Sequence, residues 1–308
     1  MTAADNLGQL TRLSARVEAL VADLASSAAN AADPDTAAAY LTALRGALAA
    51  SGERLTPPTL DKVQAALLGL LRSTASRPRA TSGGVDPTEA ALVTALAQHA
   101  AGGGPAALSA VLDAGPTPAK APSSLQEREL SAMLLAAVAG AAPAAMSPPQ
   151  LKAAGEAAVR ATRDPEATVR VAGGRAVCRL YATHGAALAP ALSTAMTTLL
   201  GPDQPCEVQR QACLSLGRLL AADEGALAGH LPALLPSLCS ILQREPNSQL
   251  KAAAEALLRR GLRLDSGVDQ GAAAAAAAGG ATRSFLTDAY LRRLAARGAD
   301  EWQEPEEY

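Results

Sequence analysis

An all-α chain is what this sequence predicts, and three observations carry the expectation. Alanine supplies much of a 49% apolar content in which aromatics account for only 2%, and alanine is the strongest helix former. Long β-branched runs, the mark of buried strands, are missing. One joint, a short turn of Pro, Asp and Asn followed by an apolar helix, returns along the second half of the chain. A buried alanine contributes roughly 0.8 kcal/mol per methyl, against ~1.5–3 kcal/mol for a leucine. Such a chain suits closely approaching helices better than one thick core.

The elements follow in order. Leu7–Leu24 carries Leu7, Leu10, Val17, Val21 and Leu24 on one stripe, the spacing of a half-buried helix. Pro34–Ala49 is the next helix. LTPPTLDKVQAALLGLL (Leu55–Leu71) opens near Pro58, because a proline fits a first turn, where its missing N–H costs nothing. Ser73–Asp86 and Asp113–Ser124 read as loop insertions, rich in Gly, Pro and Ser. Short helical candidates lie around Pro105–Leu112 and Ser124–Gly140.

The second half is more regular. Its first helices open at Pro149, Pro190 and Pro232, spaced 41 and 42 residues, and its second helices align on Val169, Val208 and Leu250, spaced 39 and 42. The turns between them are RDPEA, GPDQPCE and REPNS. A period of ~40–47 residues with two helices per unit is the signature of HEAT and armadillo repeats. The expectation is therefore a HEAT/armadillo-like α-solenoid of about six degenerate hairpins. Regular repeats cover 146–265, degenerate ones 7–145, and a terminal helix covers 283–297. One hairpin cannot bury both its faces alone, so neighbours complete each other's core. The run Ala272–Ala278 carries no partner-specific chemistry, and an acidic tail, 298–308, holds five carboxylates and is expected to fray.

Little in the chain points to catalysis. Nucleotide loops of the GxxxxGKS or GxxxxGKT form, HExxH, GxSxG and CxxC are all absent. His99, His184 and His230 fall in different repeats, and the last two read as residues that cap or border helices. Cys178, Cys206, Cys213 and Cys239 have no histidine at metal spacing and read as small hydrophobes in a reducing compartment. No cofactor, metal site, small-molecule substrate or catalytic residue is expected. Met1–Asn6 is too polar for a secretory signal, and Leu130–Met146, interrupted by Pro143, is too short to cross a bilayer. Neither a membrane nor DNA is expected as a partner, since the net charge is −2 and the pI about 6.0.

The remaining signal is the placement of cations. Only four of the 27 basic residues are lysines. Arg170, Arg210 and Lys251 stand at or near one position of successive second helices. Either turn acids such as Asp164 and Asp203 neutralise them, or they form a basic stripe facing an acidic partner or ribosomal RNA. From Lys251 to Arg297 eight cations meet four acids. The adjacent pairs Arg259-Arg260 and Arg292-Arg293 exceed what solvating an end helix requires, and exposed ion pairs contribute only about 0–1 kcal/mol to folding.

Five segments in order carry a family resemblance. YLTALRGALAASGERLTPPTLDKVQAALLGLL (Tyr40–Leu71) has an Arg-Gly within a helix, Arg45-Gly46. QERELSAMLLAAVAGAAP (Gln126–Pro143) has Arg128 on a helix ending at Ala-Pro. RDPEATVRVAGGRAVCRLYATHG, HLPALLPSLCSILQREPNSQLKAAAEALLRRGL and FLTDAYLRRLAA (Phe285–Ala296) follow. In order and spacing, over most of 40–297, they resemble the C-terminal region of the general control non-derepressible translational activators. The resemblance implies a non-enzymatic cytoplasmic scaffold acting in the response to amino-acid starvation. Its partners would be the ribosome and the RWD domain of the protein kinase that phosphorylates translation initiation factor two alpha. Partner-binding positions would be Arg45, Arg128, Arg170, Arg210, Lys251, Arg259, Arg260, Arg292 and Arg293. At 308 residues the chain would match only the tip of those long solenoids. It departs from them after Leu71, where the Ser73–Asp86 insertion replaces an acidic turn followed by Arg. The alternatives are an unrelated HEAT adaptor, in transport, phosphatase or cytoskeletal assembly, and a regulatory subunit of an enzyme.

Overall fold

The computed structural model describes residues 3–51, 55–75, 86–114, 124–141, 146–223, 225–244, 246–263 and 280–296. Every regular element among the described residues is helical. Contacts divide the chain into two units, Met1–Ala154 and Gly155–Tyr308.

The first unit contains α1 (Ala3–Ala29), α2 (Pro34–Ser51), α3 (Pro57–Ala75), α4 (Pro87–Gly102), α5 (Gly104–Ala114), α6 (Leu125–Ala141) and the start of α7 (Pro148–Ala161). The second helices of the hairpins, α2, α4 and α6, lie side by side; α1 packs on α2 and α3, and α5 on α4. Short polar side chains start these helices by satisfying first-turn N–H groups. Asp33 accepts from the Thr36 amide at 2.8 Å, and bonding to Thr36 holds the Asp33 carboxyl below its ordinary range. Asp86 accepts from the Thr88 amide at 2.8 Å. Ser124 and Glu127 exchange bonds of 3.1 and 3.2 Å, a reciprocal capping box.

Helix α4 is the element that the sequence reading does not anticipate. Its apolar residues, among them Leu92, Val93, Ala95, Leu96, Ala97 and Ala100, are buried on several sides. No polar face remains to produce a stripe, because a helix packed on many sides is apolar all round. The helix also carries buried polar groups. Thr88 donates to the Pro34 carbonyl at 2.9 Å. Glu89 lies fully buried and accepts from Gln126 on α6 at 2.8 Å. These bonds tie the starts of α2, α4 and α6 together. The insertion read at Ser73–Asp86 is narrower at its ends: α3 runs to Ala75 and Asp86 already caps α4. The rest of it, most of the second insertion, the polyalanine run and the tail 298–308 lie outside the described residues.

The second unit continues with α7 and contains α8 (Ala167–His184), a 3-10 turn at Gly185–Leu188, α9 (Ala189–Leu199), α10 (Cys206–Ala222), α11 (Leu231–Arg244), α12 (Ser248–Gly261), α13 (Gly280–Phe285) and α14 (Asp288–Ala296). Helices α8, α10 and α12 form one row, while α9 and α11 pack together against it. Pro190 and Pro232 each occupy the second position of their helix, as expected. The terminal helix, read as one piece at 283–297, is two: α13 ends near Phe285, and Thr287 restarts the chain by accepting from the Tyr290 amide at 3.3 Å. The largest fully buried side chains of both units are leucines together with Met196. Alanines fill the contacts between helices, as the composition requires.

The row is close-packed at Gly173 and Gly174. A Cβ on Gly173 would stand 2.9 Å from both the Ala158 carbonyl oxygen of α7 and the nitrogen of Thr162, just past the end of that helix. The absence of a side chain there lets the backbones of α7 and α8 touch.

Candidate functional site

The second helices of the hairpins present the cations, and their register decides which ones align. The amides of Arg170, Gln209 and Lys251 each bond the carbonyl of their helix's cap residue, Glu166, Pro205 and Asn247, at 3.1 Å. These three positions are therefore equivalent. Arg210 stands one residue on, ~100° further round the helix. At the position shared by Arg170 and Lys251, α10 has Gln209, which is buried.

Each side chain has its own occupation. Arg170 donates from Nη1 to the Asp164 and Pro165 carbonyls, both at 2.7 Å, and so clasps its own turn. Gln209 does the same through Nε2 to the Gly201 carbonyl at 2.7 Å. Arg210 makes a two-pronged bond to Glu207 on its own helix at 2.9 and 2.8 Å. Hydrogen bonds from Arg210, and further from Gln211, hold the Glu207 carboxyl below its ordinary range. The partners seen for Arg170 and Arg210 are thus the turn's own backbone and a helical glutamate. Lys251 is half-buried.

Of the other expected positions, Arg45 is exposed on α2 and Arg128 is half-buried in the first turns of α6. Arg259 is buried, at 7% exposure, whereas its neighbour Arg260 is half-buried. Arg292 and Arg293 are both exposed on α14. The Arg293 guanidinium lies 5.1 Å from the centre of the Tyr290 ring, which itself packs on Phe285 at 4.8 Å.

Two arginines, Arg179 and Arg218, escaped the sequence reading. With Arg260, which it did name, they stand 10 residues after Val169, Val208 and Leu250, so the three share one register on α8, α10 and α12. The signal was present, since their spacings of 39 and 42 are those of the repeat itself. Arg175, one turn before Arg179, joins them.

The titratable groups sit in structural roles. Burial pushes the thiols of Cys178 and Cys213 up to about 12 and that of Cys239 up to about 11. They stay protonated and inert, as small buried hydrophobes do. No group of three or more metal-ligating side chains occurs among the described residues, and no described helix is long and apolar enough to cross a membrane. His230 bonds Ser193 through Nδ1 at 2.7 Å and the Tyr181 hydroxyl through Nε2 at 3.1 Å. Tyr181 in turn donates to the Ala226 carbonyl at 3.1 Å. This chain of bonds joins α8, α9 and the start of α11.

Burial lowers the pKa of both His99 and His230 from the ordinary value of 6.5, with Asp61 opposing it weakly at His99. The unfolded chain therefore takes up protons before the folded one. Stability from these two residues is complete above the ordinary value and declines as the pH falls through it. Urea midpoints should fall between about pH 7.5 and 5.5, and the fall should shrink in a His99→Gln, His230→Gln double variant. An equal fall in that variant would assign it to other groups.

Comparison with known proteins returns the fold. No family model and no curated protein matches the chain. Solved structures do. Kap121p bound to Nup53p matches with a TM-score of 0.63 and 17% identity over 84% of this chain and 25% of that one. The karyopherin Kap121p bound to the extreme C-terminus of the protein phosphatase Cdc14p matches with a TM-score of 0.61 and 18% identity over 83% and 25%. The fold is a HEAT/armadillo-type α-solenoid. Kap121p bound to Ste12p matches likewise, with a TM-score of 0.63, 16% identity, and 86% and 26% of the two chains covered. The chain thus spans about a quarter of the length of these solved HEAT solenoids.

Proposed function

We propose that this chain is a non-enzymatic HEAT scaffold of translational control. It binds the ribosome, the RWD domain of a starvation-responsive protein kinase, or both, and promotes activation of that kinase. The observation that carries the reading is the pair Arg292-Arg293, held in solvent on a short terminal helix. Burial gives no reason for this pair. The ordered resemblance of the five segments supports the same assignment, and with it a contact role for Arg45 and Arg128. A stack of hairpins would work here by shape, offering helix ends and arginine-bearing ridges to a folded domain.

A second reading is a transport-type adaptor. It is favoured by the likeness to Kap121p, solved with Nup53p or Ste12p bound. In that case a terminal segment of a partner protein, as in the structure with the extreme C-terminus of Cdc14p, rather than an RWD domain, would be captured.

Pull-down of a purified RWD domain and co-sedimentation with ribosomes separate the readings. Arg292→Glu combined with Arg293→Glu should weaken capture by about tenfold or more, roughly 1.4 kcal/mol, with helicity unchanged by circular dichroism. Arg292→Glu alone keeps the Arg293–Tyr290 contact and should account for a large part of the loss. Capture of neither partner by the folded wild-type chain would dismiss the translational role.

A further inference from the structure

Helix α14 carries a column of planar groups beside its arginine pair. Leu291 and Leu294 are buried and pin one side of the helix, which packs on α12. Tyr290 and Arg293 stand three residues apart, a spacing that puts both on one flank. The Arg293 guanidinium lies over the Tyr290 ring at 5.1 Å. Phe285, the chain's only phenylalanine, packs on that ring at 4.8 Å. Both rings are half-buried and Arg293 is exposed, so the run Phe285, Tyr290, Arg293 leads from the body of the unit into solvent. A cation–π contact engages one face of the guanidinium. It leaves the opposite face open and the N–H edges available as donors. Arg292 is exposed as well, ~100° further round the helix.

We propose that this column is a docking site for single-stranded RNA. A base stacks on the face of the Arg293 guanidinium turned away from Tyr290, and Arg292 holds a phosphate of the same strand. The proposal deepens the scaffold reading and rests on it, because it names the part of a ribosome that α14 would grip; RNA rather than DNA follows from that reading. Stacking decides the class of partner. A carboxylate asks an arginine only for its N–H edge, and rings behind the guanidinium offer it no further contact. A base brings a π-face that continues the stack, and arginine planes and aromatic rings are the surfaces on which unpaired bases settle. Bases inside a duplex are already stacked on one another, so the strand must be single. The angle between Arg292 and Arg293 keeps them from clamping one small anion, but it suits a strand that crosses the helix. The chain's net charge of −2 supplies no wider field for a phosphate backbone, so the contact depends more on stacking than on charge.

The test uses the whole chain and fluorescence anisotropy, with a short labelled oligouridylate as the probe. The competitors are the same strand paired with oligoadenylate, the matching oligodeoxyuridylate, and an oligoglutamate of equal charge. The single RNA strand should bind about fivefold more tightly than the duplex or the oligoglutamate. Arg293→Lys keeps the charge and removes the planar face. It should weaken oligouridylate binding about fivefold and leave oligoglutamate binding unchanged. Tyr290→Leu removes the ring beneath the guanidinium and should cost as much; Arg293→Lys alters only an exposed residue and so decides the matter if Tyr290→Leu disturbs packing. Arg292→Gln should lessen the slope of log affinity against log salt by about 0.7, the share of one phosphate on a single strand. Full oligouridylate affinity in Arg293→Lys, equal binding of the duplex, or tighter binding of the oligodeoxyuridylate or the oligoglutamate would each overturn the proposal. Oligouridylate binding that stands while ribosome and RWD capture both fail supports the column and removes the translational role. Ribosome capture without oligouridylate binding removes the column alone.

Discussion

Leu216→Asp should unfold the second unit across helix boundaries rather than locally. Leu216 is fully buried on α10, and α10 packs against α8, α9 and α12. An aspartate there is either ionised without a partner or protonated without a hydrogen-bond acceptor, and either state costs several kcal/mol. Domains hold only about 5–15 kcal/mol in total. In a stack, the hairpin that loses its core also exposes its neighbours' faces. Amide hydrogen exchange should therefore show α8 and α12 losing protection together with α10. The graded variant Leu216→Ala, expected to cost about 2–5 kcal/mol, should show the same pattern with less amplitude. Loss confined to α10 in both variants would refute shared cores.

The second large effect is a contrast between adjacent glycines. Gly173→Ala places a methyl 2.9 Å from the Ala158 oxygen and the Thr162 nitrogen, and 2.7 Å from the Ala161 Cβ. None of these atoms can rotate away, so α7 and α8 must separate. Overpacking of this kind costs ~1–3 kcal/mol or more, and it should outweigh the ~1 kcal/mol that alanine returns in helix propensity. A net loss of about 2 kcal/mol would lower the thermal midpoint by roughly 4–8 °C for a unit of this size. Gly174→Ala meets only the end of the Leu199 side chain, at 2.5 Å, with Met196 Cε at 3.6 Å. These groups can shift, and the change should stay within about 1 kcal/mol of neutral, helped by propensity. Equal midpoints for the two variants would mean that the helices yield more readily than backbone contact allows.

Legibility in the sequence followed the physics of each feature. Helix starts were readable at Pro34, Pro190 and Pro232, where a proline precedes an apolar pattern; Asp86 and Pro87 announce α4 equally well but no stripe follows them. Helix α4 was not readable, because burial on many sides erases the amphipathic stripe on which the reading depends. Among the candidate binding residues, register was the weak point. Arg210 looked equivalent to Arg170 and Lys251, yet Gln209 occupies their position, and one residue on a helix is a different face. Arg179 and Arg218 were overlooked although the repeat period marks them, since the comparison was anchored at the starts of the helices.

Local chemistry alone determined that the fold class is all-α, that its hairpins recur every ~40 residues, and that leucine and alanine share its core. Those properties depend on residue type and spacing over a few turns, which any stretch of sequence displays. Only the tertiary structure decided which helices lose every polar face and where two backbones touch at Gly173. These depend on how residues ~40 positions apart are brought side by side, and no local pattern encodes the angle at which one helix faces the next.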